Sequence, residues 1–232
     1  MRIPVSLTTT LMLPWLILAF LTNGVHSLSS PVAPKDLTGV RFSLYPKVKG
    51  EQSLKLAIKT AVSGLSDLGL KVQADDVSSV LLGPTETLFE AMRVAFGRAC
   101  RVEGEPHVAM VCTFSAKSGE ELPILPLRTV ETETWVEDAN RSPSRIACQF
   151  AIYPLGSTKY QETIDQILGE IRKSPVFKDD KEYPFCYMLD GDGSEVFDVL
   201  QSSFGIAHKQ CDHVTMTATL TANKNAWKKD VQ

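Results

Sequence analysis

The hexapeptide RFSLYP, Arg41–Pro46, returns as QFAIYP, Gln149–Pro154, at an offset of 149 − 41 = 108 residues. Phe, Tyr and Pro keep their identity, and Leu44 becomes the equally aliphatic Ile152. Self-similarity at a fixed spacing marks a repeated structural unit and has to be settled before any element is assigned. The same offset puts Gly83 on Gly191, Phe89 on Phe197, Phe96 on Phe204, Gly97 on Gly205 and Ala99 on Ala207 without a gap. The register slips only near the end. There HVAMVCTF from His107 meets HVTMTATL from His213 at 106 residues, a two-residue deletion in the loop before the last strand. The chain therefore reads as one unit used twice, over 39–117 and 146–224, with a linker over 118–145 and a C-terminal tail over 225–232.

Within the first unit, Val40 to Tyr45 alternates: Phe42 and Leu44 take one face, and Arg41, Ser43 and Tyr45 the other, the period of a half-buried strand that Pro46 ends. Leu54, Ile58, Ala61, Val62 and Leu65 recur at three- and four-residue steps, which predicts an amphipathic helix closed near Gly69. Leu70 to Ala74 supplies a short strand or its remnant, and Val77 to Leu82 another strand that ends at Gly83. A second helix follows Pro84, with Thr85 as its cap and Leu88, Met92, Phe96 and Ala99 on one stripe beside Phe89. His107 to Ser115 is the closing strand. The second unit repeats this order, with helices over Tyr160 to Ile171 and Glu195 to Ala207.

Strand, helix, two strands, helix, strand is the ferredoxin-like βαββαβ arrangement, an α+β fold with antiparallel strands and both helices on one face of the sheet. The expected helix-side core is Phe42, Leu44, Phe89, Phe96, Met110, Phe150, Phe197, Phe204 and Met216. The other sheet face is left bare, and the expected cover is the sister repeat, packed sheet against sheet about a pseudo-twofold axis, with homodimerisation as an extension of the same logic. In the linker, Ile124 to Trp135 is a candidate extra strand.

The termini and composition bound the rest. Arg2 precedes eleven uncharged, mostly apolar residues, Leu11–Leu21, and a small-residue ending at Ser27. That pattern reads as a targeting peptide over 1–27, removed from the mature chain; an uncleaved membrane anchor is the competing reading, which the short apolar core and its interruption by Pro14 disfavour. The expected location is the secretory pathway or the exterior, or a plastid if the segment is half of a two-part address. Loss of Arg2 takes the net charge from −3 to −4, which speaks against nucleic acid or an anionic membrane as a partner. Five cysteines show no CxxC spacing and pair poorly with four histidines, so neither zinc nor a redox dithiol is indicated and buried thiols are expected, although an odd count leaves room for one or two disulfides. Asn140-Arg141-Ser142 is a glycosylation sequon, weakened by Pro143.

No nucleophile elbow, phosphate loop or zinc-protease helix occurs, so no catalytic residue is assigned. His107 and His213 sit at matched strand starts, the mark of a repeated structural role. Asp190-Gly191-Asp192-Gly193 lacks the later acidic ligand of a calcium loop and reads as a turn. What remains is a set of hydroxyl and aromatic side chains on strands: Ser43, Tyr45, Ser79, Thr113 and Ser115 in the first unit, and Tyr153, Tyr187, Thr217, Thr219 and Thr221 in the second. Rings offer stacking area and hydroxyls orient hydrogen bonds, a combination suited to a small planar ligand. The same residues are ordinary strand formers, and a polar stripe also suits an interface between repeats.

The strings VRFSLYP, SSVLLG before LFEAMRVAF, HVAMVCTFS, ACQFAIYPLGSTKY, LDGDGSEVF and HVTMTATLT resemble the YkoF family, a duplicated ferredoxin-like or ACT-like module, over nearly everything from Gly39 to Ala222. The resemblance implies binding of thiamin or its hydroxymethylpyrimidine moiety, one site possible per repeat, with no reaction catalysed and no cofactor. It also implies a role for Glu90 and Asp198, the acidic residues that follow the helix-two Phe and that suit a cationic or protonated ring. The chain departs from the family at Ala116-Lys117-Ser118-Gly119. Its repeats differ from each other at Ser43 against Ala151 and at Ser78-Ser79 against Cys186-Tyr187, so two sites would differ in affinity. The alternative function is an ACT-like regulatory or assembly module whose open face binds a partner protein.

Overall fold

The protein is seen in a computed structural model, which describes residues 37–74, 77–117, 143, 145–178 and 186–223. Strand β1 is Leu37–Pro46, followed by helix α1 Glu51–Val62, a 3-10 turn Leu65–Leu68, strands β2 Lys71–Ala74 and β3 Ser79–Pro84, helix α2 Thr85–Cys100 and strand β4 Val108–Lys117. The second unit has β5 Ile146–Leu155, α3 Tyr160–Ile171, β6 Tyr187–Gly191, α4 Gly193–Gln210 and β7 His213–Ala222. Beside β6, the described residues hold one further bridge, Phe177 to Leu189. The targeting segment, the linker's candidate strand and sequon, and the C-terminal tail lie outside the described residues.

All seven strands form one antiparallel sheet in the order β2-β3-β1-β4-β7-β5-β6. The junction of the two repeats is β4 with β7, ten residues of each paired from Val108↔Ala222 to Lys117↔His213. This corrects the sheet-on-sheet packing expected above: the repeats meet edge to edge, and neither covers the other's bare face. The physical reason is that β4 and β7 are the outer strands of their own units, with unpaired N–H and C=O groups, and pairing them satisfies both edges at once. All four helices then fall on one side, with α2 and α4 adjacent.

The expected core is buried there, from Phe42 to Met216, with Leu44 partly buried at its margin. Phe89 stacks on Phe114 with ring centroids 4.1 Å apart, and Phe204 lies 5.7 Å from Phe89 and 6.1 Å from Phe114. Each such ring removed from water contributes about 1.5–3 kcal/mol. Phe89–Phe204 and Phe96–Phe197 are the same contact seen from either repeat, because Phe197 and Phe204 are the offset copies of Phe89 and Phe96.

The repeated glycine has a packing cause. A Cβ on Gly83 would stand 2.3 Å from Leu70 Cδ2, and one on Gly191 would stand 2.4 Å from Val176 Cγ1. Each repeat thus passes an apolar side chain over the end of its third strand. Two local expectations change. Helix α1 stops at Val62, and Leu65 sits in the 3-10 turn that leads to Gly69. Thr85 does not cap α2; its hydroxyl meets that of Thr38 at 2.5 Å, and both threonines are buried in the helix–sheet layer. The cap appears instead on α4, where Asp192 accepts hydrogen bonds from the Ser194 and Glu195 amides, so the DGDG stretch is a strand-to-helix junction. Among the described residues no helix is long and apolar enough to cross a membrane.

Candidate functional site

Side chains of paired antiparallel residues share a face, so the register sorts the candidate residues. Tyr45 pairs with Ala109, Ser43 with Val111, Arg41 with Thr113 and Gly39 with Ser115. Across the junction these continue into Thr221, Thr219, Thr217 and Thr215, and then into Ala147, Gln149, Ala151 and Tyr153. Ser43, Tyr45, Thr113, Ser115, Tyr153, Thr217, Thr219 and Thr221 therefore lie together on the bare face. Tyr45 is 57% exposed and Tyr153 48%. They stand at diagonally opposite corners, six residues apart along β4 and three strands apart, about 20 Å by 14 Å at standard strand spacings.

Several hydroxyls on this face are engaged. Ser43 Oγ donates to the Val77 carbonyl at 3.1 Å. Ser115 Oγ lies 2.9 Å from His213 Nε2 and 3.4 Å from Thr215 Oγ1. Arg41 Nη1 donates to Ser78 Oγ at 2.5 Å. The centre of the face, along β4 and β7, is a ladder of β-branched and hydroxyl side chains, Val111, Thr113, Thr217 and Thr219.

The other candidates are on the opposite side of the sheet. Ser79 pairs with the buried Phe42, and Tyr187 pairs with Phe150, their rings 5.3 Å apart, so both belong to the helix-facing layer. Glu90 lies on α2 and Asp198 on α4. Glu90 Oε2 accepts from Arg93 Nε at 2.8 Å, which leaves much of its charge compensated. The structure therefore does not bring Ser79, Glu90, Tyr187 or Asp198 together with the strand-one tyrosines.

A concave site lies elsewhere. A cleft of about 650 Å³ opens where the β1–α1 turn faces the α2–β4 loop. Its apolar wall includes Val48, Leu56 and Pro106, and its polar groups include Lys47, Lys49 and Glu103. His107 also lines it and is fixed by Nδ1, which donates to the Ala222 carbonyl at 2.8 Å; because a carbonyl only accepts, Nδ1 carries the proton. Clefts of 300–1,000 Å³ with a few polar groups in an apolar wall are the usual small-molecule size. Sequence reading missed this one because its walls come from the β1–α1 segment and the α2–β4 loop, more than forty positions apart; the one local signal was Lys47-Val48-Lys49, directly after the repeated hexapeptide.

The cysteines are mostly buried thiols. All five are free, and four of them are buried. Burial pushes the Cys100 and Cys112 thiols up to about 12 and raises Cys148 well above the ordinary thiol range, so the nucleophilic thiolate is suppressed. Among the described residues no cluster of three or more His, Cys, Asp or Glu is placed to hold a metal.

Comparison with known proteins now gives the relationship. The model of the YKOF-related family matches residues 37–121 and 145–226, one segment for each repeat. The chain belongs to this family. It is 30% identical over 188 residues to a Bacillus subtilis (strain 168) protein named "Putative HMP/thiamine-binding protein YkoF", covering 81% of this chain and 90% of the relative. The two-segment match fits the duplicated βαββαβ architecture of the seven-stranded sheet.

Proposed function

We propose that this YkoF-family chain is a non-catalytic binding protein for thiamin or its hydroxymethylpyrimidine moiety, serving vitamin uptake or salvage. The observation that carries the reading is the similarity, across both repeats, to a relative whose printed name gives that ligand class. The proposed sites are one per repeat, each built on the strand-one tyrosine, Tyr45 or Tyr153, with the hydroxyls beside it on the bare sheet face. A thiazolium or protonated aminopyrimidine over a tyrosine ring gains about 0.5–2 kcal/mol, and neighbouring hydroxyls suit the amine and ring nitrogens of the pyrimidine. No nucleophile with a positioned base is required of such a protein.

Titration calorimetry of the mature chain with thiamin and with hydroxymethylpyrimidine tests the reading. Heat of binding with at least one of them at micromolar to millimolar concentration is expected. No heat with either would discard it in favour of the second reading, an ACT-like module whose bare face binds a partner protein or a second copy of the chain. Exposed Val111, Tyr153 and Leu155 on that face favour this alternative. The targeting reading of residues 1–27 stands as a separate proposal: N-terminal sequencing of natively produced protein should begin after Ser27, and recovery of Met1 would refute it.

A further inference from the structure

Lys47 and Lys49 bring two ammonium groups to the edge of the cleft, and among the described residues neither is held in an ion pair. Glu103 is the single carboxylate among the lining residues. Two uncompensated cations lining one cleft repel each other, and an anion between them relieves that repulsion. The apolar wall and the fixed imidazole of His107 offer the rest of such a ligand a surface to pack on.

The second repeat is built differently at this place. At the 108-residue offset, Lys47 becomes Leu155, Lys49 becomes Ser157, Ala57 becomes Asp165 and Thr60 becomes Leu168. The connection from α2 to β4 runs over residues 101–107, whereas that from α4 to β7 is only Cys211 and Asp212. In place of a loop, Gln210 ties α3 to the end of α4: Thr163 Oγ1 donates to Gln210 Oε1 at 2.9 Å, and Gln210 Nε2 donates to Gln166 Oε1. The cationic pair and the long loop thus occur in the first repeat alone.

We propose that this cleft is a binding site, present once per chain, for a phosphate monoester of the thiamin or pyrimidine ligand, with Lys47 and Lys49 holding the phosphate and the apolar wall taking the ring. The organic part of that ligand rests on the function proposed above; the phosphate rests on the lysine pair. The site is distinct from the two tyrosine corners of the sheet.

The test is calorimetric titration of the full mature chain, at low and moderate salt, with thiamin, thiamin monophosphate and inorganic phosphate. Two exposed ammonium–phosphate contacts should make the ester bind about five- to tenfold tighter than thiamin at low salt, with the advantage shrinking as salt rises. The variant Lys47→Ala/Lys49→Ala should lose the preference while keeping its affinity for thiamin, and Glu103→Gln should increase it. Both changes are at the surface, and a denaturation midpoint near that of the wild type checks folding. Equal affinity for ester and thiamin, or a preference that survives loss of both lysines, would overturn the cleft proposal and leave the binding function intact. Inorganic phosphate binding as tightly as the ester would show that the wall recognises no ring and would also overturn it. Absence of any binding by all three would remove both.

Discussion

Cys112 and Ala218 face each other across the β4–β7 junction, and each is the same position of its own repeat at the 106-residue offset. The flanking pairs exchange under that offset: Val111↔Thr219 becomes Thr217↔Thr113. The pseudo-twofold axis therefore passes through the Cys112–Ala218 pair, and the junction is an isologous interface inside one chain. The Phe89–Phe204 and Phe96–Phe197 contacts obey the same axis in the helix layer.

Such a junction should make the two repeats unfold as one. Phe204→Ala, which opens a cavity against both Phe89 and Phe114, is expected to cost about 3–5 kcal/mol. Urea denaturation should show a single transition moved to lower denaturant with its slope kept. A biphasic curve, or a loss no larger than that of the exposed control Val77→Ala, would mean the repeats are energetically independent.

If each repeat binds through its strand-one tyrosine, Tyr45→Ala and Tyr153→Ala should each weaken thiamin binding at one site by about 1–2 kcal/mol, several-fold to about thirtyfold. Both residues are half exposed, so stability should change little. Thiamin titrations indifferent to both substitutions would retain a binding function and discard these positions.

Gly191→Ala and Gly83→Ala test the close approach at the end of the third strand. The new methyl would meet Val176 at Cγ1 and, at 3.1 Å, at Cβ, whereas at Gly83 it meets mainly the far end of Leu70. A leucine end can rotate aside and a valine cannot. The expected loss is about 1–3 kcal/mol for Gly191→Ala and less for Gly83→Ala. The reverse order, measured by thermal or chemical denaturation, would contradict the packing account.

The buried thiols predict a loss of stability at high pH. Cys100 and Cys112 titrate near 9 when unfolded and near 12 when folded, because burial penalises the thiolate. Below pH 9 both states hold the proton and the contribution is complete. From pH 9 towards 12 the unfolded chain releases protons that the folded chain keeps, so stability falls by about 1.4 kcal/mol per pH unit for each thiol. Cys112→Ala should lessen that slope, and an unchanged slope in denaturation curves between pH 8 and 10.5 would exclude the thiol as its source.

The unit itself was legible because its signals are local. The period-two run at Val40–Tyr45, the helical stripe Leu88–Met92–Phe96 and the matched Phe, Gly and Tyr positions each depend on a few neighbouring residues. How the units meet was not. A polar alternate stripe such as Thr217–Thr219 reads the same whether its face is packed or bare, and nothing in the β4 or β7 sequence marks an edge as paired. Ser79 and Tyr187 were grouped with Tyr45 and Tyr153 by composition, but strand register decides the side, and their partners Phe42 and Phe150 put them under the helices. Thr85 had the chemistry of a cap and spends its hydroxyl on Thr38. The cleft depends on where two distant loops come to rest, which no periodicity reports.

Because the seven strands form a single sheet, the two tyrosine corners are coupled by its twist. Neighbouring strands rotate by roughly 20–25°, and three steps separate β1 from β5, so the surface normals at Tyr45 and Tyr153 diverge by about 60–75°. Two ligands seated there would look outward along different directions and could not stack on one another.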